Sequence, residues 1–226
     1  MTKFLQFASD KLSAFWSQNS GEFISALAGA LAGALAAYWI QSSTERRKER
    51  KARRSAIIRA QMALISQLNI LAGFRQQKLD PFRSEKDREL RMTIVHLPRN
   101  CLPVDFESIT FLLESNDANL LLKIQVAERA YHSAMDAVDV RNRSIQDLRA
   151  RSELQSGDHE SGEFIVRADP RDIKLVKDFT DALYSSTDHA ERLCADAIAD
   201  LKAAGKKIFS KGKFLSATIP SNKEAT

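Results

Sequence analysis

Protein chemistry leaves convergent polar side chains, and this sequence offers few of them. The four histidines, His96, His132, His159 and His189, lie far apart along the chain. Glu128, His132 and Asp136 fall at i, i+4 and i+8, a spacing that could set ligands around a metal ion on one helix face. That face borders an apolar stripe, where polar residues at helical spacing are ordinary, so no metal centre is expected. Arg91 and His96 enclose four residues in an Arg-x4-His pattern. There is no glycine-rich phosphate cradle, no His-Glu-x-x-His zinc helix and no strand-borne nucleophile, and no cofactor is expected.

A helical domain carrying Arg91 and His96 at this spacing resembles the HEPN class of RNA-cutting or RNA-binding modules. The resemblance covers only these few residues. Met92 stands where that class has a polar residue after the arginine, and a second typical start, Arg141-Asn142, lacks the following histidine. The resemblance implies that Arg91 stabilises charge on a scissile phosphate while His96 transfers a proton, across a dimer. With a single N-terminal span ahead of such a domain, the layout also resembles the membrane accessory proteins of type VI-B CRISPR systems. That likeness implies an oligomer that perforates or depolarises a membrane during antiviral defence. RNA is a partner only under the alternative reading of a membrane-tethered ribonuclease.

The elements that would position such residues begin with an apolar run. Phe23 to Ile40 carries no charge and, at about 1.5 Å of rise per helical residue, roughly matches a ~30 Å hydrocarbon core. Its strongly apolar members, Phe23, Ile24, Leu27, Leu31, Leu35 and Ile40, each favour insertion by about 0.3 to 0.6 kcal/mol. Tyr38 and Trp39 sit at one end, where amphipathic rings favour the headgroup level. The cationic residues follow the run instead of preceding it, which argues for a retained signal anchor over a cleaved signal peptide. Gly29 and Gly33 form Gly-x-x-x-Gly, and Ala26 and Ala30 extend the small-residue face, so another helix could approach closely. Ahead of the span, Phe4, Leu5, Ala8, Leu12, Phe15 and Trp16 recur at helical spacing and predict an interfacial amphipathic segment over 1–22.

The formal charge of +5 is concentrated directly after the anchor. Arg46, Arg47, Lys48, Arg50, Lys51, Arg53 and Arg54 face only Glu45 and Glu49, so the rest of the chain is close to neutral. A local basic block of this kind points to anionic lipid, at about 1 kcal/mol per side chain near the surface, and away from a globally basic nucleic-acid binder. By the positive-inside rule the block stays in the cytosol and the N-terminus lies outside, which predicts a single-pass protein of the cell inner membrane. Cys101 and Cys194, with no Cys-x-x-Cys spacing, fit a reducing compartment.

Eight glycines and five prolines are too few for a turn-rich β fold. The expected class is all-α: a transmembrane helix (23–40) continuing into a basic stalk (41–78), then a cytosolic antiparallel helical bundle (79–210) and a disordered tail (211–226). In the stalk Ile57, Leu64 and Leu71 recur every seven residues with Leu68 beside them, a seam for a coiled coil or for the protein's own domain. Asp80-Pro81 breaks the pattern, Ser84 to Arg91 is helix-prone, and 92–103 forms a connector. Asp105 caps a short helix, and Asn116 and Asp117 offer the next cap. Leu120, Ile124, Ala127, Tyr131, Met135, Val138, Ile145 and Leu148 make one long stripe. Ser156 to Glu163 reads as a loop. Asp169-Pro170 then starts the last helix, whose stripe includes Val176, Phe179, Leu183, Ala190, Leu193, Ala197, Leu201 and Ile208. The expected partners are membrane lipids, further copies of the chain and a cytosolic protein that the sequence does not name.

Overall fold

The computed structural model describes residues 2–96, 101–114, 118–158, 163–209 and 213–217, with side chains described outside 2–24 and 153–167. The architecture is helical. The first helix, α1, runs from Thr2 to Phe74. Short helices α2 (Arg88–Arg91) and α3 (Phe111–Glu114) precede two long ones, α4 (Ala118–Arg151) and α5 (Pro170–Ile208). The chain divides into two compact units, Met1–Ala52 and Arg53–Thr226.

In the second unit α4 and α5 lie side by side and antiparallel. Lys123 pairs with Asp200 near one end and Arg151 with Asp172 near the other. The C-terminal part of α1 completes the core. Ile57, Leu64, Leu68 and Leu71 are buried together with Ile124, Tyr131, Cys194 and Leu201. A fully buried Leu or Ile contributes about 1.5 to 3 kcal/mol, so the seam at 57–71 is a main source of this unit's stability. The heptad-like spacing therefore serves intramolecular packing.

α1 ends gradually. A π-helical turn, Arg75–Leu79, passes into a 3₁₀ turn at Asp80–Phe82 with Pro81 in its first turn, where a missing N–H costs nothing. The Tyr184 hydroxyl on α5 donates to the Leu79 carbonyl at 2.7 Å and holds this end down. Of the helix expected over 84–91 only α2 forms, entered through Asp87 in a left-handed conformation (φ 60°). Asp105 does cap the next segment, accepting from the Ser108 backbone N–H at 3.2 Å. The expected cap at Asn116 and Asp117 lies outside the described residues. Asp169 caps α5 by accepting from the Arg171 N–H at 2.8 Å, with Pro170 following.

Two expectations need correction. Ser156 to Glu163 is not simply a loop: Glu153–Asp158 (β1) and Glu163–Arg167 (β2) pair antiparallel, with an irregularity between Leu154 and Ser156. The run Phe164-Ile165-Val166 has the aromatic and β-branched residues that favour a strand, and the glycine-rich loop composition obscured it. The tail is likewise ordered over 213–217. Leu215 exchanges two backbone hydrogen bonds with the buried Gln61 carboxamide, at 3.2 and 3.5 Å, and the Phe214 ring lies against Phe209 and over Gly205. Residues 218–226 lie outside the described set.

Candidate functional site

In the first unit every side chain from Ser25 to Gln41 is exposed. Leu31, Leu35 and Trp39 are 58%, 68% and 77% exposed and belong to one contiguous exposed apolar run. The helix containing this run is long and apolar enough to span a membrane. Gly29 and Gly33 have nothing within 4 Å of a built Cβ, and Ala26 and Ala30 are exposed, so the small-residue face is open along its length. The side chains of Phe23, Ile24 and the 1–22 segment lie outside the described residues, although the backbone from Thr2 is helical.

The basic block is not uniform. Arg46, Arg47, Lys48, Arg50 and Lys51 are exposed, whereas Arg53 and Arg54 are half-buried and belong to the second unit. Arg53 pairs with Glu114 at 3.1 Å, with its guanidinium 5.3 Å from the centre of the Phe111 ring. Its charge is engaged with α3, and the exposed cations of the block are those at 46–51.

Arg91 ends α2 and is exposed, with Glu85 at 3.4 Å, and His96 is exposed in the connector five residues on. Of the 128/132/136 trio, Glu128 accepts from the Val104 backbone N–H at 2.8 Å while His132 stands edge-on to Tyr131. Among the described residues no three His, Cys, Asp or Glu side chains are gathered closely enough to hold a metal.

Sequence reasoning missed the polar interior. Arg141 is fully buried. It donates to the carbonyls of Glu89, Met92 and Thr93 and to the Thr180 hydroxyl, gripping the end of α2. Burial lowers its pKa to about 10, so it stays charged at neutral pH. Asn142 beside it clasps Val95, accepting from its N–H at 3.2 Å and donating to its carbonyl at 2.6 Å. The apolar stripe of α4 skips from Val138 to Ile145, and that gap was the available signal. A second buried polar pair joins Arg75 to Glu191, which is 1% exposed. Burial pushes the Glu191 carboxyl up and Arg75 opposes it.

A cleft of about 300 Å³ opens between α1, the connector and α4. Residues 101–103 of the connector form one wall. On α4, Tyr131, His132, Met135, Asp136 and Asp139 form the other, one face over two turns. From α1 comes Gln67, 1% exposed, whose Oε1 has no hydrogen-bond partner. Burial raises the pKa of both the Tyr131 hydroxyl and the Cys194 thiol, the latter to about 12, and the Cys101 thiol adds to both shifts. Tyr131 therefore stays a neutral phenol in the cleft wall. Comparison of the chain with protein-family models, curated proteins and solved structures finds no match.

Proposed function

We propose that the chain is a single-pass membrane protein, N-terminus outside, whose cytosolic antiparallel helical bundle self-associates through the anchor and acts as a scaffold or pore-type effector at a bacterial inner membrane. The observation that carries this reading is the all-round exposure of apolar side chains over 25–41, followed at once by the exposed cations 46–51. A hydrocarbon core removes the cost of that apolar surface, and anionic headgroups complement the cations. The open Gly29 and Gly33 face supports contact between spans, because helices in lipid associate by close backbone packing. The layout's resemblance to membrane accessory proteins of type VI-B CRISPR systems suggests a role in antiviral defence.

Cysteine accessibility tests the topology. In a variant lacking Cys101 and Cys194, a cysteine placed at Ser20 reacts with an impermeant maleimide on intact cells, and one at Ser55 reacts only after lysis. The reverse pattern overturns the orientation, and loss of the protein to the soluble fraction overturns the anchor. Replacing His96 by Ala separates this reading from the nuclease alternative: cellular activity survives the change if the protein works as a scaffold or pore. RNA cleavage by purified protein that vanishes in His96→Ala would replace the proposal.

A further inference from the structure

Residues 213–217 are bound to the second unit much as a separate peptide would be. The buried Gln61 carboxamide takes both backbone groups of Leu215, its Oε1 accepting from the N–H at 3.2 Å and its Nε2 donating to the carbonyl at 3.5 Å. One residue earlier the Phe214 ring rests over Gly205, where no Cβ stands in its way, with Phe209 at 6.4 Å between ring centres. Two residues after Leu215, Ala217 packs on the same core, while Lys213, Leu215 and Ser216 are exposed. The groove between α1 and α5 therefore reads an aromatic ring, the main chain of the next residue and a small side chain two further on. Main-chain bonds for affinity and side-chain seats for specificity are the means by which peptide-recognition grooves hold a ligand.

Two properties make this contact exchangeable. Gln61 binds main chain, and its partner Leu215 lies 154 residues away in sequence, so the groove has no means of telling its own segment from an identical one. A segment held by two hydrogen bonds and one ring also opens far below the cost of unfolding the helices beneath it. An emptied groove gives up both carboxamide bonds, which favours refilling from any source. We propose that the groove takes the 213–217 segment of a second copy, two copies exchanging segments so that each fills the other's groove. Reciprocal exchange keeps every bond of the closed form, which is why swapping an identical element joins protomers at low cost. The partner is a second copy because the groove already holds this sequence, Phe-Leu-Ser-Ala at 214–217. The inference concerns the second unit alone and does not rest on the membrane reading.

A fluorescent peptide of residues 211–219 tests whether the groove accepts the segment from outside. It is titrated with full-length Phe214→Ala in detergent, whose own segment lacks the ring. Binding is saturable with Kd at or below about 100 μM and weakens about tenfold or more when the peptide itself carries Phe214→Ala. Exchange between copies is read by mixing light and isotope-labelled full-length protein and cross-linking amines. Links from the exposed Lys213 to Lys202 or Lys206 on α5 then join the two pools, in about half of the linked pairs as random pairing gives, and Phe214→Ala loses these mixed links. They persist when Gly29 and Gly33 are both replaced by Ile, which separates this contact from association through the spans. A peptide that does not bind or binds equally without its ring, links confined to one isotope, mixed links that survive Phe214→Ala, or mixed links that vanish with the Gly29 and Gly33 replacements overturn the proposal.

Discussion

Arg141 shows how one side chain can organise a stretch that has almost no regular structure. Its guanidinium fork meets three carbonyls around the end of α2 and a hydroxyl on α5, a set no other residue can serve because only arginine carries five donors in a planar array. Arg141→Leu orphans those carbonyls and is expected to cost about 3 kcal/mol or more, and Arg141→Lys about 2 kcal/mol, since an ammonium cannot reach all of them. Urea unfolding followed by circular dichroism measures both; a loss under about 1 kcal/mol for Arg141→Leu would show that water serves the carbonyls equally well. The cysteines make a second residue-scale contrast. Cys194 is fully buried, its pKa raised from 9.0 to about 12 chiefly by burial, whereas Cys101 is partly exposed. At mild alkaline pH maleimide should label Cys101 in the folded protein and Cys194 only after denaturation. The sign of the linkage follows: the unfolded thiol ionises first, so Cys194 adds to stability below pH about 9, and that contribution is lost as pH rises towards 12. Cys194→Ala should flatten this part of the alkaline stability profile, and an unchanged slope would assign it to other groups.

At the scale of elements, the chain's last described segment depends on a glycine in α5. A Cβ built on Gly205 would stand 2.7 to 2.9 Å from Phe214 ring atoms, closer than carbon atoms approach, so the ring must move. Gly205→Ala also gains about 0.8 to 1.0 kcal/mol of helix propensity. The two effects oppose each other, and overall stability should shift by less than about 1 kcal/mol while the 213–217 segment detaches. Trypsin cleavage at Lys213 should accelerate in Gly205→Ala and equally in Phe214→Ala. Cleavage at the parental rate in both would mean that the Leu215 bonds to Gln61 suffice to hold the segment. The same logic explains why the 57–71 seam packs inward: α4 and α5 present complementary apolar stripes close by in the same chain, so burial there needs no second copy.

For the whole molecule, the question is where apolar surface goes. The second unit buries its stripes in its own core, whereas the first exposes its apolar residues from 25 to 41. If close helix packing in lipid joins copies, replacing Gly29 and Gly33 by Ile fills the open face and lowers oligomer mass in detergent, while the more apolar span still inserts. Native mass measurement and carbonate extraction read the two effects separately, and an unchanged mass would move any assembly to the second unit. The sequence by itself determined the helical class, the apolar run and its basic flank, the Asp169 cap and the two long stripes, because these depend on neighbours three or four residues apart or on composition. It did not determine the hairpin, the docked 213–217 segment, the partner of Arg53 or the cleft. These join residues such as Gln61 and Leu215, or Gln67 and Tyr131, which local periodicity does not relate. Buried polar groups are the clearest case. Nothing in the local sequence marks Arg141 and Glu191 as buried, and only the tertiary packing supplies the carbonyls of Glu89, Met92 and Thr93 and the Arg75 partner that let them sit inside.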